Sequence, residues 1–132
     1  MDNKLKHLDM IQDTIKRMAN NSFLLKGWTV TLVAALIALL AKEGDFKYLI
    51  IAFFPIVMFW SLDGYFLRQE RLFRKLFDSI RVKNENEIDF SMDTRPYSKS
   101  VQNWIKTCFS VTLRTFYIGV AITISALVVF IA

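Results

Sequence analysis

The densest run of chemically capable side chains is Arg68, Arg71, Arg74, Lys75, Arg81 and Lys83, with Phe73 and Phe77 set among them. On a helix these cations build one positive surface. Such a surface, with aromatic rings interleaved, suits phosphates and stacked bases. The same residues also read as an ordinary basic flank: Glu70 and Arg74 stand four apart as a helical ion pair, and the phenylalanines suit a helix–helix core. Catalysis finds no comparable support. A single His (His7) and a single Cys (Cys108) exclude a zinc-finger site and a disulfide framework. No glycine-rich phosphate loop or G-x-S-x-G turn occurs. The expectation is a non-enzyme with no catalytic residues, no metal site and no cofactor.

A second group consists of charges standing at the edges of uncharged sequence: Lys26, Asp63 and Arg114. Lys26 and Asp63 lie equally far along the chain from a turn centred between Gly44 and Asp45, and Arg114 lies about as far from the C-terminus. At the helical rise all three fall about 27 Å from one end of the helices. A Lys26–Asp63 pair would neutralise two charges that are costly near hydrocarbon, with Arg114 in reach of it. Two readings stay open: a charged ring at the mouth of a pore, or snorkelling residues at an interface. Thr115, Gly119 and Thr123 recur at four-residue intervals beyond Arg114, a small-residue face that permits close helix packing and also suits the lining of a water path.

The elements that position these residues follow from where charge is missing. The chain has 132 residues, 54% of them hydrophobic, with a formal net charge of +5. Gly27–Ala41, Tyr48–Leu62 and Thr115–Ala132 contain no Asp, Glu, Lys, Arg or His. A span needs about 20 residues of helix, so the blocks extend to 23–42, 48–67 and the C-terminal stretch. The charged, helix-patterned residues ahead of the first block argue against a secretory signal peptide. The connection 42–47 carries two basic and two acidic residues, while residues 1–26 and 63–114 hold the whole positive surplus. By the positive-inside rule the N-terminus and 63–114 face the cytoplasm, and the C-terminus reaches the outer face.

Helical patterning continues past the spans. Leu8, Ile11, Ile15, Met18, Ser22 and Leu25 repeat at three- and four-residue intervals, as do Phe66, Gln69, Phe73, Leu76 and Ile80. The expected fold is an all-α membrane protein: a long antiparallel helical hairpin, about 3–41 and 48–83, plus a third C-terminal transmembrane helix. Its parts are a cytosolic amphipathic helix (1–22), span 1 (23–42), span 2 (48–67), a cytosolic extension (68–83), a loop (84–98) and an interfacial helix with span 3 (99–132). Pro55 predicts a kink or loosened turn in span 2. Ser98 or Ser100 is the expected N-cap of the third helix, and the cluster Asp89–Asp93 is expected to dock on a neighbouring basic helix.

Three strings carry a resemblance: 17–28 (RMANNSFLLKGW), 59–77 (FWSLDGYFLRQERLFRKLF) and 89–93 (DFSMD). They resemble a group of small bacterial membrane proteins found among anti-phage defence genes, and the plan is similar to the membrane effector of the Hailong defence system. That resemblance implies a homotetrameric ion channel in the bacterial inner membrane. It further implies control from the cytosol by a single-stranded DNA oligomer or nucleotide made by a nucleotidyltransferase encoded nearby. The basic–aromatic helix then becomes the natural ligand site. The alternatives are a non-conducting anchor or adaptor that recruits a soluble partner, and a holin-like permeabilising toxin.

Overall fold

The computed structural model of the chain describes residues 2–45 and 47–131. Met1, Phe46 and Ala132, which fall in the expected first helix, outer turn and third span, lie outside the described residues. Helices dominate: α1 (Asp2–Glu43), α2 (Lys47–Arg81), a five-residue α3 (Trp104–Cys108) and α4 (Val111–Ile131). Two short 3-10 turns, Glu85–Glu87 and Arg95–Tyr97, stand between α2 and α3. No strand occurs among the described residues. Three of the helices are long and apolar enough to cross a membrane.

The ends of α1 show why it runs so far. At its start the Glu85 carboxylate accepts from the backbone N–H groups of Asn3 (2.8 Å) and Lys4 (3.3 Å), two donors that no helical carbonyl can reach. At its end Gly44 takes a left-handed φ of 71° and donates its N–H to Leu40 O at 2.7 Å, a C-terminal cap that a side chain would strain. Asp45 Oδ1 then accepts from Lys47 N at 3.0 Å and opens α2. α2 continues through Pro55 without a break.

Contacts between α1 and α2 pair residues in opposite sequence order. Ile11 and Ile15 pack with Leu76 and Ile80 at one end, and Val33 and Leu40 share a cluster with Ala52 and Ile56 toward the other. The buried positions Ile11, Ile15, Leu25, Thr29, Val33 and Leu40 extend the three-four seam along the whole of α1. α4 adds Leu113, Tyr117 and Ile124 to the second cluster, spaced to share one helical face.

The third helix differs from the sequence expectation: α3 and α4 are separate, and α3 starts at Trp104. Its N-cap is Asn103, whose side chain accepts from Lys106 N at 2.9 Å, rather than Ser98 or Ser100. The helix is broken at Phe109–Ser110, and there the Trp60 indole N–H donates to Cys108 O at 2.6 Å. Gly64 lets α3 come this close. A Cβ there would overlap Cys108 Sγ and stand 3.3 Å from Trp104 Nε1.

Segment 84–98 covers the end of the α1–α2 pair. Ile88, Met92 and Tyr97 pack on the Ile11–Ile80 cluster. The Asp89–Asp93 stretch lies against its own α1: His7 is fully buried and its Nε2 meets Ser91 O at 2.8 Å, while its ring sits 5.6 Å from that of Phe90. The contact is apolar and backbone-mediated. Asp93 is taken by Arg95, not by a neighbouring basic helix.

Candidate functional site

Asp63, on α2, is bonded from two other helices, α1 and α4. Its side chain has 0% exposure. From α1, Lys26 Nζ approaches Oδ2 at 2.6 Å and Ser22 Oγ donates to Oδ1; Lys26 also donates to Ser22 Oγ at 2.9 Å. From α4, Tyr117 OH donates to Oδ2 at 2.9 Å. A carboxylate withdrawn from water needs this many donors, because an unpaired one is prohibitively costly. The surroundings hold the donors in place. The Tyr117 ring stacks on Trp60 at 5.7 Å with a 5° tilt, and Lys26 Nζ lies 5.9 Å from the centre of the Phe116 ring.

Lys26 and Asp63, placed at one height by counting residues, thus meet directly. Arg114 is exposed and is not among the partners of Asp63; Tyr117, one turn further on, fills that role. The seam of α1 placed Ser22 on this face without giving it a polar role, and Tyr117 had no expected role. Ser22 stands four residues before Lys26 on the same face, which would have pointed to it. Tyr117 had one signal: it is the single tyrosine of the third apolar block.

The basic residues of α2 do not act as one set. Arg68 donates to the carbonyls of Gln102 (3.2 Å) and Ser98 (3.3 Å), and so holds the chain leading into α3. Arg74 pairs with Glu70, whose side chain is half-buried, at 3.7 Å, and Arg81 with Asp78 at 3.9 Å, an exposed pair of small energetic consequence. Arg71, Arg74 and Lys75 line a cleft of about 320 Å³ with Ser100, Val101 and Gln102. Lys83 is half-buried near Asp89. Phe73 and Phe77 are half-buried and pack against the Ile11–Ile80 cluster.

Thr115, Gly119 and Thr123 point away from the face that α4 packs with. They line an open groove of about 540 Å³ with Val30, Val33, Ala34 and Ile37 of α1. A Cβ added at Gly119, or at Gly27 of α1, would meet nothing within 4 Å. The small-residue face of α4 is therefore not closed over at Gly119 by the rest of the chain. The hydroxyls of Thr123 and Ser125 return to the carbonyls of Gly119 and Ala121, both at 2.9 Å, as hydroxyls in an apolar setting do.

Segment 84–98 is held partly by its own carboxylates. The Ser91 backbone N–H bonds Asp89 and holds its carboxyl below the usual value of 3.8, against a desolvation effect and with help from Lys83. The Arg95 guanidinium, followed by its backbone N–H, does the same for Asp93. Among the described residues no cluster of His, Cys, Asp and Glu has the makings of a metal site.

Compared with known protein families, curated proteins and solved structures, the chain has no match.

Proposed function

We propose that the chain is the subunit of a homo-oligomeric ion channel in a bacterial inner membrane. Its α1–α2 hairpin spans the bilayer and projects into the cytosol, and α4 provides the third span. The N-terminus and 63–114 are cytoplasmic, and the C-terminus lies at the outer face. The observation that carries the reading is the small-residue face of α4, not closed over at Gly119. Thr115, Gly119 and Thr123 stand open, and only 22%, 22% and 17% of the most apolar stretches of the three long helices are buried within one chain. Helices with so much uncovered surface and a face suited to close approach associate in bilayers. A tetramer closing these faces around an axis would put threonine hydroxyls, rather than a ring of charges, beside the conduction path. Lys26 and Asp63 already neutralise each other inside the subunit.

The cytosolic end supplies the control surface. The cations Arg71, Arg74 and Lys75 stand on the rigid extension of a spanning helix, so an anionic ligand bound there acts on the same helix that carries Asp63. A single-stranded DNA oligomer or nucleotide made by a nucleotidyltransferase fits this charge, and an anti-phage defence effector that depolarises the cell fits the resemblance of the strings 17–28, 59–77 and 89–93. Native mass spectrometry of the purified protein tests the assembly, and ion-flux measurement in liposomes with and without short oligonucleotides tests control. A monomer that leaves liposomes tight supports an anchor or adaptor. Large leaks without defined stoichiometry support a holin-like toxin.

A further inference from the structure

Two recesses lie on one stripe of α2. Val57, Ser61, Gly64, Arg68, Arg71 and Lys75 recur at four- and three-residue intervals, so all face the same side of the helix. At the upper end is an apolar groove of about 190 Å³ that includes Val57, Trp60, Trp104, Ile105 and Phe109. At the lower end is the basic cleft of Arg71, Arg74 and Lys75. Residues 99–105 run alongside both, with Arg68 fastened to Gln102 between them.

The groove, completed by Ser61 and Cys108, offers an occupant mostly carbon: the Ser61 hydroxyl is turned back to Val57 O at 3.0 Å. The indole N–H groups of Trp60 and Trp104 are already bonded, to Cys108 O at 2.6 Å and Ser61 O at 3.0 Å. Yet Val57, Trp104, Ile105 and Phe109 are exposed. The cleft differs in charge: Arg71, Arg74 and Lys75 face Ser100, Val101 and Gln102, and of the three cations only Arg74 is shared with a carboxylate, that of Glu70. The midpoints of the two recesses are 14 residues apart on α2, about 21 Å at the helical rise, which is about the thickness of one leaflet with its headgroups. Counted from the turn after α1, the groove falls in the inner half of the hydrocarbon core. The cleft falls beyond its cytosolic edge, where long Arg and Lys side chains reach back to headgroups.

We propose that this stripe holds one anionic phospholipid of the cytosolic leaflet, with its phosphate on Arg71, Arg74 and Lys75 and an acyl chain along Trp60, Trp104 and Ile105. The site rests on the reading of the long helices as spans. It explains why a basic cleft and an exposed apolar groove share one face: a free nucleotide uses the first and has no use for the second. The lipid phosphate bridges α2 to the segment entering α3, so its binding steadies the junction of α2 with the third span.

The test uses the full-length protein stripped of lipid and returned to micelles containing phosphatidylglycerol or phosphatidylcholine. Native mass spectrometry is expected to retain about one phosphatidylglycerol per chain in preference to phosphatidylcholine. Arg71→Gln and Lys75→Gln, which break no observed hydrogen bond, are expected to reduce that preference roughly fivefold each. Ile105→Ser is expected to reduce retention of both lipids. Equal retention of the two lipids, or a preference unmoved by the two charge variants, overturns the site. So does competition in which glycerol 3-phosphate displaces the lipid completely at equal concentration, because the headgroup anion then suffices without an acyl chain. Alkaline carbonate washing of the source membranes separates the two levels of failure. Release of the protein refutes the spans themselves, whereas a retained protein with no lipid preference refutes the lipid site alone.

Discussion

Asp63 and Tyr117 are 54 residues apart in sequence, and the tyrosine hydroxyl donates to the carboxylate at 2.9 Å. With Lys26 on the other side, that carboxylate ties α1, α2 and α4 at one point. The three long helices therefore share a polar rivet, with the apolar packing of Val33, Leu40, Ala52, Ile56, Leu113 and Ile124 beside it.

Removing the charge at the rivet should cost more than removing a donor. Asp63→Asn leaves Lys26 without its counter-charge, at a cost of about 3 kcal/mol, the low end for a broken buried pair because Lys26 keeps 19% of its side chain exposed. Tyr117→Phe removes one hydrogen bond to an ionised group, about 1.5–3 kcal/mol. Thermal unfolding in detergent gives the order. In a double-mutant cycle Lys26→Met with Asp63→Leu should destabilise by clearly less than the sum of the single changes; strict additivity would mean that the two side chains do not interact.

Gly64 is needed for the approach of α3. Gly64→Ala places a methyl on Cys108 Sγ, and the cost of pushing α3 outward is about 1–3 kcal/mol. Cys108, buried in the native chain, becomes accessible in the variant, so maleimide labelling should be faster. An unchanged labelling rate together with an unchanged melting temperature would remove the close contact from the description.

Acid should loosen segment 84–98 before the helices. Asp89 and Asp93 both titrate below 3.8 in the folded chain, since Ser91 N–H and Arg95 respectively favour their ionised forms. A carboxyl with a lowered folded value stabilises above its unfolded value and loses that contribution as pH falls through the lowered one. Protection of the Ser91 and Arg95 amides against hydrogen exchange, corrected for intrinsic rate, should be level from pH 5 to 7 and fall below about pH 4. Asp93→Asn should weaken the Arg95 amide at all these pH values. Protection that is flat down to pH 3 would contradict the role given to these carboxylates.

Much of this fold is written in local periodicity. The three-four spacing of Leu8, Ile11, Ile15 and Leu25 identified the buried face of α1, and equal distance from the Gly44–Asp45 turn put Lys26 level with Asp63. Other features depend on contacts that no window of sequence contains. The carbonyl at the helix break after Cys108 is bonded by an indole 48 residues away. The burial of His7 depends on Ser91 arriving from beyond α2. In α4 the small-residue spacing was the visible pattern, but the bulkier stripe of Leu113, Tyr117 and Ile124 buries more apolar surface and takes the intramolecular contact. The basic residues of α2 were visible as a run. Which of them stay open was set by Gln102, Ser98 and Glu70, and only the fold brings the first two near.

The most direct measurement is single-channel recording from the purified, mass-verified oligomer in a planar bilayer. A channel subunit gives discrete, reproducible conductance steps, and Thr115→Val with Thr123→Val changes their amplitude while leaving assembly intact. A reconstituted oligomer that shows no steps, with or without an anionic cytosolic ligand, would contradict the channel.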